Sequence, residues 1–284
     1  MASGLLFLPN VAKSNMMRVR RKVRLPMKTN ERFLAALKTM NTTMKEDVKA
    51  GRKWRYSNSS AKQAHTFDIA RKKGLRYTNC VLAVWWGLRM AGVPDSALHW
   101  MGVEGKISWT KTGAKAAAGK YFKIVKTGGK TVQQLWNQKL LCDGDVLLGF
   151  TSMHHTCVYY GGTGKNAGRK SFDAGHSYTT GGSGEGALFK KWIGDLTCKN
   201  YKVNYILRLK DRAHWRVQAG AFYDPKMYAQ REALLISKGY KPEMKFEDGM
   251  YKAQLAPCDG VSNARRTAAE LMAKNIGAFV VQVD

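Results

Sequence analysis

The sequence predicts an α+β chain of two units: helices followed by an antiparallel sheet over residues 28–210, and a small βαββαβ unit over 211–284. Three observations carry this. Helical spacing of apolar residues dominates the stretch from 28 to 94, strand patterns take over from Asp143, and a strand-and-helix arrangement recurs after the break at Asp211-Arg212-Ala213-His214.

In the first unit, residues 28–50 read as a helix with Phe33, Leu34, Leu37 and Met40 on one face. A polar loop follows at Tyr56-Ser57-Asn58-Ser59-Ser60, and Thr66 to Lys73 forms a short helix. Thr78 and Asn79, both good cap residues, precede Val81, Val84, Trp85 and Leu88 at i, i+3, i+4 and i+7, so a further helix begins near Cys80 and stops near Gly92-Val93-Pro94. Residues 101–140 alternate Gly- and Lys-rich loops with short apolar runs, including Tyr121 to Val125 and a helix-like Val132 to Leu140. Strands are then expected at 145–150, 155–160, 171–176 and 201–209.

Asp211 to His214 reads as a linker into the second unit. Trp215 to Phe222 is a strand, and Met227 to Lys238 is a helix with Ala229, Ala233 and Ile236 inward. Tyr251 to Leu255 is a strand, Asn263 to Lys274 is a helix with Ala264, Ala268, Leu271 and Met272 inward, and Ala278 to Val283 is a terminal strand. The βαββαβ order covers one sheet face with two helices and leaves the other free to bind.

At 284 residues with 44% hydrophobic content the chain can build substantial cores. Its net charge of +28 points to a polyanionic environment: nucleic acid, anionic lipid or a wall rich in anionic polymer. That charge is uneven. Residues 212–284 hold 11 Lys/Arg against 8 Asp/Glu, net +3, so residues 1–211 carry +25. The apolar runs are shorter than the roughly 20 residues a membrane helix needs, so no membrane span is expected. No secretion signal is read in Gly4-Leu5-Leu6-Phe7-Leu8-Pro9, which is too short and follows no basic region. Residues 1–27 read as a basic arm around Arg18-Val19-Arg20-Arg21-Lys22-Val23-Arg24, and the helix pattern after Met27 offers that residue as an alternative start.

Cys80 is the candidate nucleophile. A thiol in the first turn of a helix faces unpaired N–H groups and the positive end of the macrodipole, which favour thiolate. A buried structural cysteine at a helix start is the plainer reading of the same position. His155 heads His155-Thr156-Cys157-Val158-Tyr159-Tyr160-Gly161-Gly162 and is the candidate base. Five cysteines without a CxxC pair make neither a disulfide framework nor a zinc ribbon, and Cys142, Cys157, Cys198 and Cys258 are expected to be small buried hydrophobes. The adjacent His154 and His155 point to opposite faces of a strand, so a zinc site with His176 and Cys157 is not expected, and neither is any cofactor.

Asn79-Cys80 at a helix start, Asp143-Gly144-Asp145-Val146 before a strand, and His155 leading Val158-Tyr159-Tyr160-Gly161 resemble the NlpC/P60 superfamily of papain-like cysteine peptidases and amidases that cut peptidoglycan peptides. The resemblance covers roughly residues 50–210, and helices before an antiparallel sheet is the order of a papain-like core. The family's usual Asp-Cys-Ser-Gly is here Asn79-Cys80-Val81-Leu82, which makes this a divergent branch. By resemblance a third polar residue orients the histidine; Asp173 matches best by position and His176 competes, while capping of a turn is the plainer role for Asp173. The Cys80 backbone N–H and an upstream tyrosine, Tyr56 or Tyr77, would hold the oxyanion.

Trp215-Arg216-Val217-Gln218-Ala219-Gly220-Ala221-Phe222, with the weaker copy Tyr251-Lys252-Ala253-Gln254-Leu255-Ala256, resembles the SPOR domain, which binds peptidoglycan glycan strands stripped of stem peptides. The resemblance implies Arg216, Gln218, Phe222, Lys252 and Gln254 as glycan-binding residues. An RNA-binding use of this topology needs aromatics in an RNP pattern, which is absent, and specific nucleic acid is therefore not an expected partner. Together the two resemblances imply a cell-wall hydrolase of endolysin or autolysin type. It would be made in the bacterial cytoplasm, with a phage-infected host as the expected setting, and act at the wall on peptidoglycan, with anionic wall polymers as further partners. N-acetylmuramoyl-L-alanine amidase is the first expectation and a D-Glu-directed endopeptidase the next; outside hydrolases stands a non-catalytic wall-binding or nucleic-acid-binding protein.

Overall fold

The computed structural model describes residues 27–57, 62–97, 119, 121–149, 155–161, 170–176, 186–192 and 202–283, with backbone alone at 155, 170, 173–176 and 186–192. The expected basic arm and the residues His154 and Cys198 lie outside the described residues.

Helix α1 (Thr29–Lys49) opens where the Glu31 carboxylate accepts the Lys28 backbone N–H at 3.0 Å, and it buries Phe33, Leu37, Met40 and Met44. Short β1 (Arg55–Tyr56) follows, then α2 (Phe67–Lys72), capped by Thr66, which accepts the Ile69 N–H. Next come β2 (Tyr77–Thr78) and α3 (Cys80–Met90). Residues 55–56 pair in parallel with 77–78, so Tyr56, read as the start of a loop, belongs to a short strand. Helices α1 and α3 touch closely: a side-chain carbon at Gly87 of α3 would stand 2.9 Å from Leu37 and Phe33 of α1.

Strand β3 (Phe122–Lys126) leads to α4 (Val132–Asn137), opened by a reciprocal Thr131–Gln134 capping box. The remaining strands of this unit are β4 (Val146–Gly149), β5 (His155–Tyr159), β6 (Lys170–His176), β7 (Gly186–Trp192) and β8 (Tyr205–Leu209). They form an antiparallel sheet in the order β3-β8-β4-β5-β6-β7. Strand β7 has no counterpart in the sequence reading. One face, with Val146, Leu148, Val158 and Phe172, packs on α1 and α3; the other, with Leu147, Cys157 and Ile206, packs on α4. A helices-then-antiparallel-sheet architecture is thus present.

The second unit comprises β9 (His214–Phe222), α5 (Pro225–Ser237), β10 (Pro242–Glu247), β11 (Met250–Leu255), β12 (Cys258–Asp259), α6 (Val261–Met272) and β13 (Phe279–Gln282). Central β9 pairs antiparallel with β11 and β12 on one side and β13 on the other, and β10 flanks β11. Val217, Ala219, Ala253 and Leu255 face α5 and α6. The sequence reading named the wrong face of α5. Tyr228 and Leu235 are buried, whereas Ala229 and Ala233 are exposed and Ile236 is 59% exposed. In α6, Ala264, Ala268 and Leu271 are buried as expected, but Met272 is exposed.

The break at Asp211–His214 is not a loose linker. Arg212 and Ala213 are buried, the Ala213 N–H donates to Asn30 Oδ1 at 3.1 Å, and Asp211 Oδ2 accepts from the Thr29 backbone and hydroxyl at 2.9 and 2.6 Å. The start of α1 thereby clamps the chain where it enters the second unit.

Candidate functional site

The first candidate site is built around Cys80, the first residue of α3. Asn79 caps the helix: its Oδ1 accepts from the Val81 and Leu82 N–H groups at 3.0 and 2.8 Å, and its Nδ2 donates to the Ser57 carbonyl at 3.3 Å. Gln63 donates to the same carbonyl at 2.9 Å. These bonds hold the segment around Ser57 against the helix start and place the Tyr56 hydroxyl 3.9 Å from Cys80 Sγ, across 24 residues of sequence. Of the two tyrosines the sequence offers, Tyr56 therefore meets the thiol; Tyr77 lines a separate basic groove with Lys53 and Arg76. Cys80 is 5% exposed.

Helix α3 packs on β5 and β6, the strands that carry His155, Asp173 and His176. Their register is regular: Gly149 pairs with His155, Leu147 with Cys157 and Val158 with Phe172, while β6 runs unbroken against β7 from Lys170 to His176. Val158 and Phe172 lie on the α3 side and Cys157 and Tyr159 on the α4 side. Among the described residues no group of three His, Cys, Asp or Glu side chains could hold a metal ion, and no helix is long and apolar enough to cross a membrane.

The second candidate site is a groove of about 430 Å³ on the open face of the C-terminal sheet. Arg216, Gln218, Lys252 and Gln254 line it, as do Lys245 and Gln282, which the sequence reading did not single out. Lys245 belongs to β10, a strand implied by the βαββαβ order but not located from sequence; its pairing with Lys252 is the register that brings it to the groove. Gln218 and Gln254 are 6% and 5% exposed, and Gln254 Nε2 donates to Gln218 Oε1 at 3.0 Å. That bond uses one N–H of one amide and one lone pair of the other, so the pair retains donors and acceptors for a ligand. Arg216 is paired with Glu243, and Lys252 with Glu247 and Asp248 at 3.1 and 3.3 Å, so two of the three cations lining the groove are already matched by carboxylates. Phe222 does not line this groove. It packs against the helix-side cluster, with the Arg231 guanidinium 5.8 Å from its ring centroid.

Between the two sites lies a polar interface. Asp143 is buried and accepts from Ser262 of α6 through both carboxylate oxygens. Asp145 holds Arg208 in a two-pronged contact at 2.8 and 2.7 Å, and Arg212 donates to the Asp143 carbonyl at 3.2 Å. Asn263 donates to the Leu141 carbonyl at 3.0 Å, and Arg266 donates to the Trp136 carbonyl at 2.8 Å with its guanidinium 4.0 Å from that ring's centroid. Sequence reasoning took Asp143-Gly144-Asp145-Val146 only as a motif preceding a strand and missed this role. The available signal was α6 itself, which begins after Gly260 and brings no side-chain cap of its own.

A βαββαβ sheet with a polar open groove is joined to the rest of the chain at residue 211, and a family model matches over residues 211–282. Those residues form a SPOR domain. A solution structure, that of the peptidoglycan binding domain of the B. subtilis cell wall lytic enzyme CwlC, is similar at 23% identity, covering 27% of this chain and 98% of that chain with a TM-score of 0.25. No curated protein matches the chain. The SPOR domain accounts for the C-terminal groove, whereas the Cys80 site lies outside the matched residues.

Proposed function

We propose that this protein is a peptidoglycan hydrolase whose SPOR domain holds the glycan strand while Cys80 attacks an amide of the attached peptide. The match of residues 211–282 to the SPOR domain carries this reading, because such domains bind peptidoglycan. The groove suits that ligand: its Arg216 and Lys252 are paired with carboxylates, and its buried glutamine amides complement neutral hydroxyl and N-acetyl groups. Neither Gln218 nor Gln254 offers a ring on which a base could stack, which disfavours RNA there.

The thiol half rests on the position of Cys80 at the start of α3 and on the Tyr56 hydroxyl beside its sulfur. Cys80 attacks the amide carbonyl, the base takes the thiol proton and returns it to the leaving amine, and water releases the acyl-enzyme. The Cys80 N–H and the Tyr56 hydroxyl stabilise the oxyanion. His155 is the base by resemblance to NlpC/P60 enzymes, with Asp173 orienting it. His176, carried like Asp173 on β6, competes for that orienting role by the same resemblance. The bond is that between lactyl group and L-alanine, because a module that seeks bare glycan fits an enzyme that strips peptides; a cut near D-Glu is the alternative.

The test is turbidity loss of purified sacculi with wild type, Cys80→Ala, His155→Ala and His176→Ala, with mass spectrometry of the released ends. Loss of lysis in Cys80→Ala and His155→Ala, with new L-Ala amines, supports the amidase with His155 as its base, and loss in His176→Ala as well supports an orienting role there. New amines elsewhere move the cut into the peptide. Equal lysis by wild type and Cys80→Ala ends the thiol mechanism, and binding without lysis by all four leaves a wall-binding protein.

A further inference from the structure

The surplus charge of the N-terminal unit has a built focus. At the end of α1, Asp47 is completely buried and accepts from Arg52 Nε at 3.0 Å, Trp54 Nε1 at 3.1 Å, Arg76 Nε at 3.2 Å and Arg71 Nε at 3.3 Å. One carboxylate thus orders three guanidiniums and leaves two positive charges in excess. Each arginine spends only Nε on Asp47, so the Nη groups of all three stay available as forked donors. Beside them is a groove of about 380 Å³ lined by Gly51, Lys53, Arg55, Gly74, Arg76 and Tyr77, with no carboxylate in its wall. Exposed lysines alone form a solvated face; guanidiniums fixed by a buried anion form a pre-organised one.

We propose that this groove binds a flexible phosphodiester polyanion that carries no bases, of the polyol-phosphate kind. The choice against nucleic acid follows from the aromatic groups. Single-stranded nucleic acid needs open aromatic faces for its bases. Here Trp54 and Phe67 are 1% and 4% exposed, and the Lys62 ammonium sits 5.6 Å from the ring centroid of Tyr77. The SPOR groove is the weaker competitor for phosphate, because Glu243, Glu247 and Asp248 already match Arg216 and Lys252, two of its three lining cations. The proposal rests on the wall as the site of action, where such polymers accompany peptidoglycan, and it gives the chain two separate handholds: a strongly salt-dependent one in the N-terminal unit and a largely charge-paired one in the SPOR domain.

The test uses the full chain, with purified poly(glycerol phosphate) as probe, and the double variant Lys53→Gln/Arg55→Gln, both residues being exposed. Wild-type binding to the polymer should weaken steeply with salt. The variant should lose about tenfold in affinity at physiological salt, with a log–log salt slope smaller by about two, one for each phosphate contact removed. Its melting curve and its binding to sacculi stripped of wall polymer should match wild type. Unchanged polymer affinity in the variant overturns the proposal, as does tighter binding of single-stranded DNA than of polymer at equal phosphate concentration. Failure of wild type to bind stripped sacculi would count against the peptidoglycan reading and leave the polymer result to judge the groove alone.

Discussion

Asp143 and Ser262 lie 119 residues apart and are joined by two hydrogen bonds, from the Ser262 backbone N–H to Oδ2 at 2.9 Å and from its hydroxyl to Oδ1 at 2.6 Å. The carboxylate does for α6 what an N-cap residue ordinarily does from within the helix, since the residue at that position is Gly260. A cap supplied by the other unit couples the SPOR domain to the rest of the chain.

Breaking that cap should uncouple the units. Asp143→Ala removes two bonds and strands the buried Ser262 donors, an expected loss of about 3 kcal/mol. Gly161→Ala should act alike, because a side-chain carbon there overlaps Ser262 Oγ and Asp143 Oδ1, and the backbone φ of 75° is unfavourable for alanine. Scanning calorimetry should show one transition in wild type and two in either variant; a single transition lowered as a whole would mean that the units stay coupled.

Asp47 sets an acid limit on the basic groove. Burial pushes its carboxyl up, but the hydrogen bonds from Arg71, Arg52, Arg76 and Trp54 prevail and hold it at about 2. The unfolded chain binds the proton more readily, so the stabilisation is present above the ordinary carboxylate pKa and is lost as pH falls from about 4 through about 2. The size is about 2 kcal/mol. Denaturant titrations of wild type and Asp47→Asn should converge at the acid end and separate by at least that amount at neutral pH, where the variant's buried amide faces three arginines; parallel acid profiles would show that Asp47 does not carry the dependence.

The buried face of α5 can be checked directly. Leu235→Ala should cost about 2–5 kcal/mol, whereas Ile236→Ala should stay within about 0.5 kcal/mol, since Leu235 is fully buried and Ile236 is 59% exposed. Urea midpoints read the contrast, and equal losses would restore the face that sequence spacing suggested.

Gln218 and Gln254 should act as one glycan-binding unit. Each single alanine variant should weaken binding to peptide-free glycan about tenfold, and the double variant should lose little more, because either change breaks the shared amide pair. Additive losses in a double-mutant cycle would mean that each amide contacts the ligand independently.

What was legible in the sequence was local. The 3.6-residue spacing of Phe33, Leu37 and Met40, and of Val81, Val84, Trp85 and Leu88, located α1 and α3 because each helix buries a stripe of its own residues. The alternation of Arg216, Val217, Gln218 and Ala219 identified an open and a covered sheet face by the same logic. Where apolar spacing was ambiguous the reading failed: alanines at 229 and 233 with Ile236 make as good a stripe as Tyr228 with Leu235, and only contact with β9 and β11 chooses between them. Strand β10 went unlocated because its residues are mostly exposed and leave little pattern.

The sequence by itself determined an α+β chain, a charge concentrated before residue 212, a thiol at the first turn of a capped helix and a C-terminal SPOR pattern. Each follows from composition or from neighbours within a few positions. Tertiary structure alone decided that Tyr56 rather than Tyr77 meets Cys80, that Asp47 gathers three arginines, and that Asp143 caps a helix 119 residues away. Those are pairings between side chains remote in sequence, fixed by how the sheets and helices pack, and a one-dimensional pattern holds no distance information that would reveal them.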